Sequence, residues 1–199
     1  MELSRPALIK RVTRETEITV QLLLAGTGVS TIKTGIGFFD HLLSLFARHG
    51  LFDLDVEARG DLEVDGHHTV EDVGLCLGQA IKDCLGERKG IRRYGHAIIP
   101  MDDALILVAV DLSGRPYLAW PAEVLLSSQV GSFATELVEE FLRAFVNQSG
   151  MNLHVRFLAG RNTHHMLEAV FKALGRALRE ATEIDPREAG VPSTKGILA

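Results

Sequence analysis

Apolar residues recur along this chain at two different spacings, and each change of period marks an element. Between residues 15 and 25, Ile18, Val20, Leu22 and Leu24 occupy every second position, the period of a strand with one buried face. From Phe38 the spacing lengthens. Phe38, Phe39, Leu42, Leu43, Leu45 and Phe46 share one side of a predicted helix, which Gly50 is placed to end. Residues 51–58 return partly to period two, Gly60 turns the chain, and Val70, Val73, Leu77, Ile81 and Cys84 resume helical spacing.

The same order of periods then comes again. Phe133, Leu137, Val138, Phe141, Leu142 and Phe145 predict a helix ending at Gly150, and residues 151–159 predict a strand. Gly160 is the turn, and Leu167, Val170, Phe171, Leu174 and Leu178 predict a final helix. Between the two units, residues 94–100, 104–111 and 117–121 read as short strands separated by turn residues. The pattern predicts an α/β chain of internally duplicated halves, an α+β sandwich forming one domain over 1–199. Its halves span about 10–92 and 93–184, and 185–199, with Gly190, Pro192 and Gly196, form an irregular tail.

Composition narrows the class. With 46% hydrophobic and 24% charged residues, the 199-residue chain has material for a sizeable core. A net charge of −5 gives no bulk attraction for nucleic acid. The longest apolar run, 104–110, is of strand length and far short of a membrane span. The start, Met1-Glu2-Leu3-Ser4-Arg5-Pro6, has no apolar segment of signal-peptide type. Cys76 and Cys84 form no CxxC pair and read as buried thiols in a reducing cytoplasm.

The repeat carries chemistry. His67-His68-Thr69-Val70-Glu71 returns 97 residues later as His164-His165-Met166-Leu167-Glu168. On a helix the first His and the Glu of each copy share a face, and the second His points about 100° away. A lone His pair is an ordinary surface or core feature; two copies in matching contexts read as metal ligands. Aligning the halves through their strands sets Glu140 opposite His41, so each half offers four donors. These are His41, His67, His68 and Glu71, then Glu140, His164, His165 and Glu168: enough for two ions with open positions. Ligation without cysteine argues against a closed structural zinc and for manganese, iron or zinc in a catalytic site. His49 sits where a cation suits a helix end, and His96 and His154 read as structural. A dinuclear metallohydrolase and a non-enzymatic metal-binding assembly are the competing readings of such a donor set.

Several motifs together resemble the imidazoleglycerol-phosphate dehydratase family. They are the segment from Thr34 to His41, Asp65-Gly66-His67-His68-Thr69-Val70-Glu71-Asp72, the stretch from Asp111 to Tyr117, the second HHxxE with Gly160 to Asn162 before it, Phe171-Lys172-Ala173, and Pro192-Ser193-Thr194-Lys195-Gly196. The resemblance implies helices packed between two mostly antiparallel sheets, and 24 identical subunits with two manganese ions per active site. It implies dehydration of D-erythro-imidazole glycerol phosphate to imidazole acetol phosphate in histidine biosynthesis. A metal on the ring nitrogen favours the imidazolate, which expels the hydroxyl through a diazafulvene-like intermediate. Beside the ligands, the resemblance implies Glu15 as acid/base and His41 and His49 as pocket residues. It implies Arg93, Arg115, Lys172, Ser193, Thr194 and Lys195 on the substrate phosphate side; Asp102, in Pro100-Met101-Asp102-Asp103, reads as an outer support of the pocket. Some members carry His where this chain has Glu140.

Overall fold

The computed structural model describes residues 5–121, 124 and 126–198; the reading made on Met1–Ser4 and the last residue of the tail fall outside them. Strands β1 (Ala7–Val12), β2 (Thr16–Leu23) and β3 (Ser30–Lys33) precede helix α1 (Gly37–Gly50), strand β4 (Asp53–Gly60) and helix α2 (His67–Leu85). Strands β5 (Tyr94–Met101), β6 (Ala104–Asp111) and β7 (Tyr117–Ala119) follow, then a small hairpin of β8 (Gln129–Val130) and β9 (Phe133–Ala134). Helix α3 (Leu137–Ser149), strand β10 (Asn152–Ala159) and helix α4 (Thr163–Thr182) complete the order.

The two main sheets repeat one topology. The first runs β1-β2-β4-β3 and the second β5-β6-β10-β7, each antiparallel except for its last pair. Helices α1 and α2 cover the first sheet, α3 and α4 the second, and the helix layers meet as α1 on α4 and α2 on α3. The result is four layers, sheet–helix–helix–sheet, as the resemblance implies. One core runs through them, with Phe39, Phe46, Phe52, Phe141, Phe145 and Phe171 all fully buried.

The close helix contacts depend on repeat-related glycines. A Cβ on Gly78 of α2 would lie 2.5 Å from the carbonyl oxygen of Phe145 on α3. A Cβ on Gly175 of α4 would lie 2.5 Å from that of Phe46 on α1.

The pattern of apolar residues missed elements at the sheet edges. β1 buries only Ala7 fully and β3 buries nothing fully, so neither carries a period-two apolar signal. Helix α3 starts at Leu137, not near residue 133. Phe133 is buried because it pairs with Val130 in the small hairpin and stacks on Phe39 at 6.2 Å. The left-handed cap of α1 is Leu51, one residue beyond Gly50, whereas Gly150 is itself the cap of α3.

Candidate metal centre and anion pocket

α1 of the first half and α4 of the second bring three metal-competent side chains to one point. The ligand atoms of His41, His164 and Glu168 all lie within 4.8 Å of one another. Glu168 Oε1 is 2.7 Å from His41 Nε2 and 2.9 Å from His164 Nε2. The other oxygen, Oε2, accepts from Lys172 Nζ at 2.8 Å. Residues 164, 168 and 172 follow at one-turn steps, so a single face of α4 supplies three of the four groups. The ring of Phe38 packs 5.0 Å from that of His164 and 6.3 Å from that of His41, an apolar wall the HHxxE spacing gave no hint of.

Glu168 is 6% exposed. Burial by itself would raise its pKa, but hydrogen bonds from Lys172, His41 and His164 outweigh it and hold the carboxyl down at about 2. An ionised, buried carboxylate with two imidazoles fits a borderline divalent cation, and the Lys172 ammonium already lies against it as a cation. His41 is half-exposed, leaving one side of the group open.

The two HHxxE copies share their local geometry. The rings of His67 and His68 lie 6.1 Å apart at 85°, and those of His164 and His165 have the same separation and angle. In each copy a carboxylate holds Nδ1 of the second His. Asp61 Oδ2 is 3.0 Å from His68 Nδ1, and Asp103 Oδ1 is 2.8 Å from His165 Nδ1. Both contacts leave Nε2 for a ligand, the usual way an imidazole is oriented toward a metal. The Asp61 bond raises the His68 pKa. Asp103, which accepts from the Asn162 N–H, His165 and the Arg161 N–H, is held well below the usual carboxylate range. Neither aspartate stood out in the sequence: Asp61 is one carboxylate outside any motif, and of the pair Asp102-Asp103 it was Asp102 that was expected to support the site. Asp102, the expected outer support, lies 3.6 Å from His165 Nε2, farther than Asp103 is from Nδ1.

One chain therefore gathers three of the eight expected ligands. Among the described residues, the His41, His164 and Glu168 group is the only one of its kind. His67, His68, Glu71, Glu140 and His165 stay outside such a group.

A second feature is a cavity of about 730 Å³ between the tail and the second sheet, lined by Arg93, Arg115, Ser193, Thr194 and Lys195. It joins five of the six residues expected on the phosphate side. The sixth, Lys172, lies at Glu168 instead. Arg93 builds the cavity as well as lining it. Nε and Nη2 grip Asp111 at 2.7 and 3.2 Å, and Nη1 donates to the Pro192 carbonyl at 2.9 Å, tying the tail down. His49, near the end of α1, is half-buried; burial, with Lys172 and Arg176 nearby, lowers its pKa. Glu15 is exposed in the turn before β2, not within the strand, with Oε2 3.8 Å from His68 Nδ1.

The profile of the imidazoleglycerol-phosphate dehydratase family matches residues 34–178. The chain belongs to the imidazoleglycerol-phosphate dehydratase family. The imidazoleglycerol-phosphate dehydratase of Moorella thermoacetica is 64% identical over 99% of this chain and 100% of its own length. That of Acetivibrio thermocellus is 62% identical over 96% and 97%. The crystal structure of imidazoleglycerol-phosphate dehydratase from Staphylococcus aureus superposes with a TM-score of 0.82 at 40% identity, covering 91% of this chain and all of that one. Membership of a dehydratase family makes the chain a lyase. No helix among the described residues is long and apolar enough to cross a membrane.

Proposed function

We propose that this chain is a manganese-dependent dehydratase converting D-erythro-imidazole glycerol phosphate into imidazole acetol phosphate in histidine biosynthesis. The observation that carries the reading is the His41, His164 and Glu168 group, assembled from both halves in a member of this family. One catalytic domain of two halves and a tail works in a cytoplasmic homo-oligomer of 24 subunits. The free thiols Cys76 and Cys84 suit a reducing compartment.

His41, His164 and Glu168 would hold one ion, and His67, His68, Glu71, Glu140 and His165 would supply the remaining donors, the two members of each adjacent His pair serving different ions. Bound manganese supplies a Lewis acid that favours the deprotonated substrate ring. The protein's own groups do the rest. Asp61 and Asp103 fix the rings of His68 and His165 through Nδ1. Arg93, Arg115, Ser193, Thr194 and Lys195 offer charge-assisted donors to the phosphate from one cavity. Lys172 keeps Glu168 ionised, and His49 would serve the substrate from beside Lys172 and Glu168. Glu15 moves the proton at the substrate carbons, because it is a carboxylate beside the His68 ring that no imidazole needs for support.

The test combines metal analysis of the purified protein with an assay on imidazole glycerol phosphate. Stoichiometric manganese and formation of the keto product support the reading. Release of inorganic phosphate instead would point to a hydrolase, and bound metal without turnover to a metal-binding assembly.

A further inference from the structure

The first half contains a buried polar pair with no counterpart in the second. Thr16 opens β2 and is 4% exposed; its hydroxyl donates to Asp72 Oδ2. Asp72, 7% exposed on α2, takes a second bond at Oδ1 from Arg11 Nε at 2.8 Å. Thr16 also closes the turn between β1 and β2. The Thr13 N–H donates to the Thr16 carbonyl at 2.8 Å, and Thr13 Oγ1 accepts from the backbone N–H groups of Glu15 and Thr16 at 3.1 and 2.9 Å. Glu15 is thus fixed at its backbone by a turn that is itself tied to α2. Asp72 lies one helical turn after His68, so the same face of α2 carries the imidazole and the anchor of the turn that presents Glu15.

The repeat supplies the control. β2 sets Leu22 against Leu54, and β6 sets Val110 against Leu153. Leu54 and Leu153 are equivalent in the two halves, so Thr16 corresponds to Ala104, each the first residue of its strand. Asp72 corresponds to Ala169, the residue after each HHxxE glutamate. Ala104 and Ala169 are both buried. The same strand–helix packing is therefore made in the second half with two alanines and no hydrogen bond.

The residue before each strand differs in duty as well. Asp103, the equivalent of Glu15, is consumed in holding His165. In the first half Asp61 takes that task, and Glu15 stands free at 3.8 Å. The polar pair appears where the carboxylate is free.

We propose that Thr16 and Asp72 are positioning residues, their hydrogen bond holding the turn at residues 13–16 so that the Glu15 carboxylate stands beside His68; this rests on Glu15 being the proton carrier. The test compares Thr16→Val, nearly isosteric but without the hydroxyl, with Thr16→Ser, which restores it. Manganese content, melting temperature, kcat and KM are measured for both, alone and combined with Glu15→Gln. Thr16→Val should lower kcat about 10- to 100-fold, the cost of a misplacement near 1 Å, with KM and metal content unchanged. Thr16→Ser should recover most of it. On a Glu15→Gln background Thr16→Val should add no further loss, because the two act as one unit. If Thr16→Val folds poorly, Thr16→Ala with Asp72→Ala reproduces the alanine pair of the second half and should show the same kcat loss with metal retained. Near-normal kcat in either variant, or a loss that adds fully to that of Glu15→Gln, overturns the proposal. Normal turnover in Glu15→Gln alone would instead remove Glu15 from the mechanism.

Discussion

Gly78 on α2 and Phe145 on α3 meet so closely that a single methyl group would not fit: a Cβ at position 78 falls 2.5 Å from the Phe145 carbonyl oxygen. The obstacle is backbone, which cannot swing aside as a side chain end can. Gly78→Ala should therefore push α2 away from α3 and cost about 1–3 kcal/mol despite the better helix propensity of alanine. Urea unfolding measures it. A midpoint at or above that of the parent would show that the helices separate freely.

Glu168→Gln keeps the shape of the side chain and removes its charge. His41, His164 and Lys172 would then face an amide in a buried site. Leaving the Lys172 ammonium without its partner should cost about 3–5 kcal/mol, the range for a broken buried pair. Manganese uptake by the purified variant should fall together with turnover. Full metal content would separate Glu168 from the metal.

Lys195→Ala should keep the metal and raise KM about ten- to a hundred-fold, since one charge-assisted hydrogen bond is worth about 1.5–3 kcal/mol. Arg93→Lys should do at least as much harm although it conserves charge. An ammonium cannot bridge Asp111 and the Pro192 carbonyl as the guanidinium does, so the tail should loosen as well. Limited proteolysis of the tail reports that second effect: a site as resistant in Arg93→Lys as in the parent would confine Arg93 to the substrate.

His49 gives a pH dependence with a defined sign. Burial, aided by Lys172, Arg176 and Arg48, lowers its folded-state pKa below the ordinary 6.5. Below pH 6.5 the unfolded chain then binds more protons than the folded one, so this group withdraws stability as pH falls. His49→Gln should flatten the decline of unfolding free energy as pH falls below about 6.5, relative to the parent. His68, raised by Asp61, acts in the opposite direction and remains in both proteins, so the difference between the two curves isolates His49. Parallel curves would show that His49 titrates alike folded and unfolded.

Legibility in the sequence followed burial. β6, with every second residue fully buried, was readable to the residue, and so was the face of α4 that carries Leu167, Val170, Phe171, Leu174 and Leu178. β1 and β3 were invisible because they bury too little to leave a period, whereas the edge strands β5 and β7 were read from the turn residues around them. The duplicated HHxxE pointed to metal, and His164 and Glu168 of its second copy do converge with His41. What spacing could not reveal was pairing across helices. That His41 meets Glu168, rather than an HHxxE residue of its own half, follows from α1 packing on α4, a tertiary fact with no local signature. Asp61 and Asp103 escaped for the same reason: each acts on a ring that a turn, not a motif, brings near.

The packing of first helices on second helices from the opposite half bears on how such a chain could have arisen. A lone half would leave a sheet covered by two helices whose outer faces are apolar, and its one available partner would be a second copy of itself. In that symmetric pair two identical clusters would form, each with a His41-type residue reaching across to the other copy's HHxxE. Fusion into one chain removes the requirement that the two clusters be identical, and the alignment of His41 with Glu140 is one place where the two halves of this chain differ.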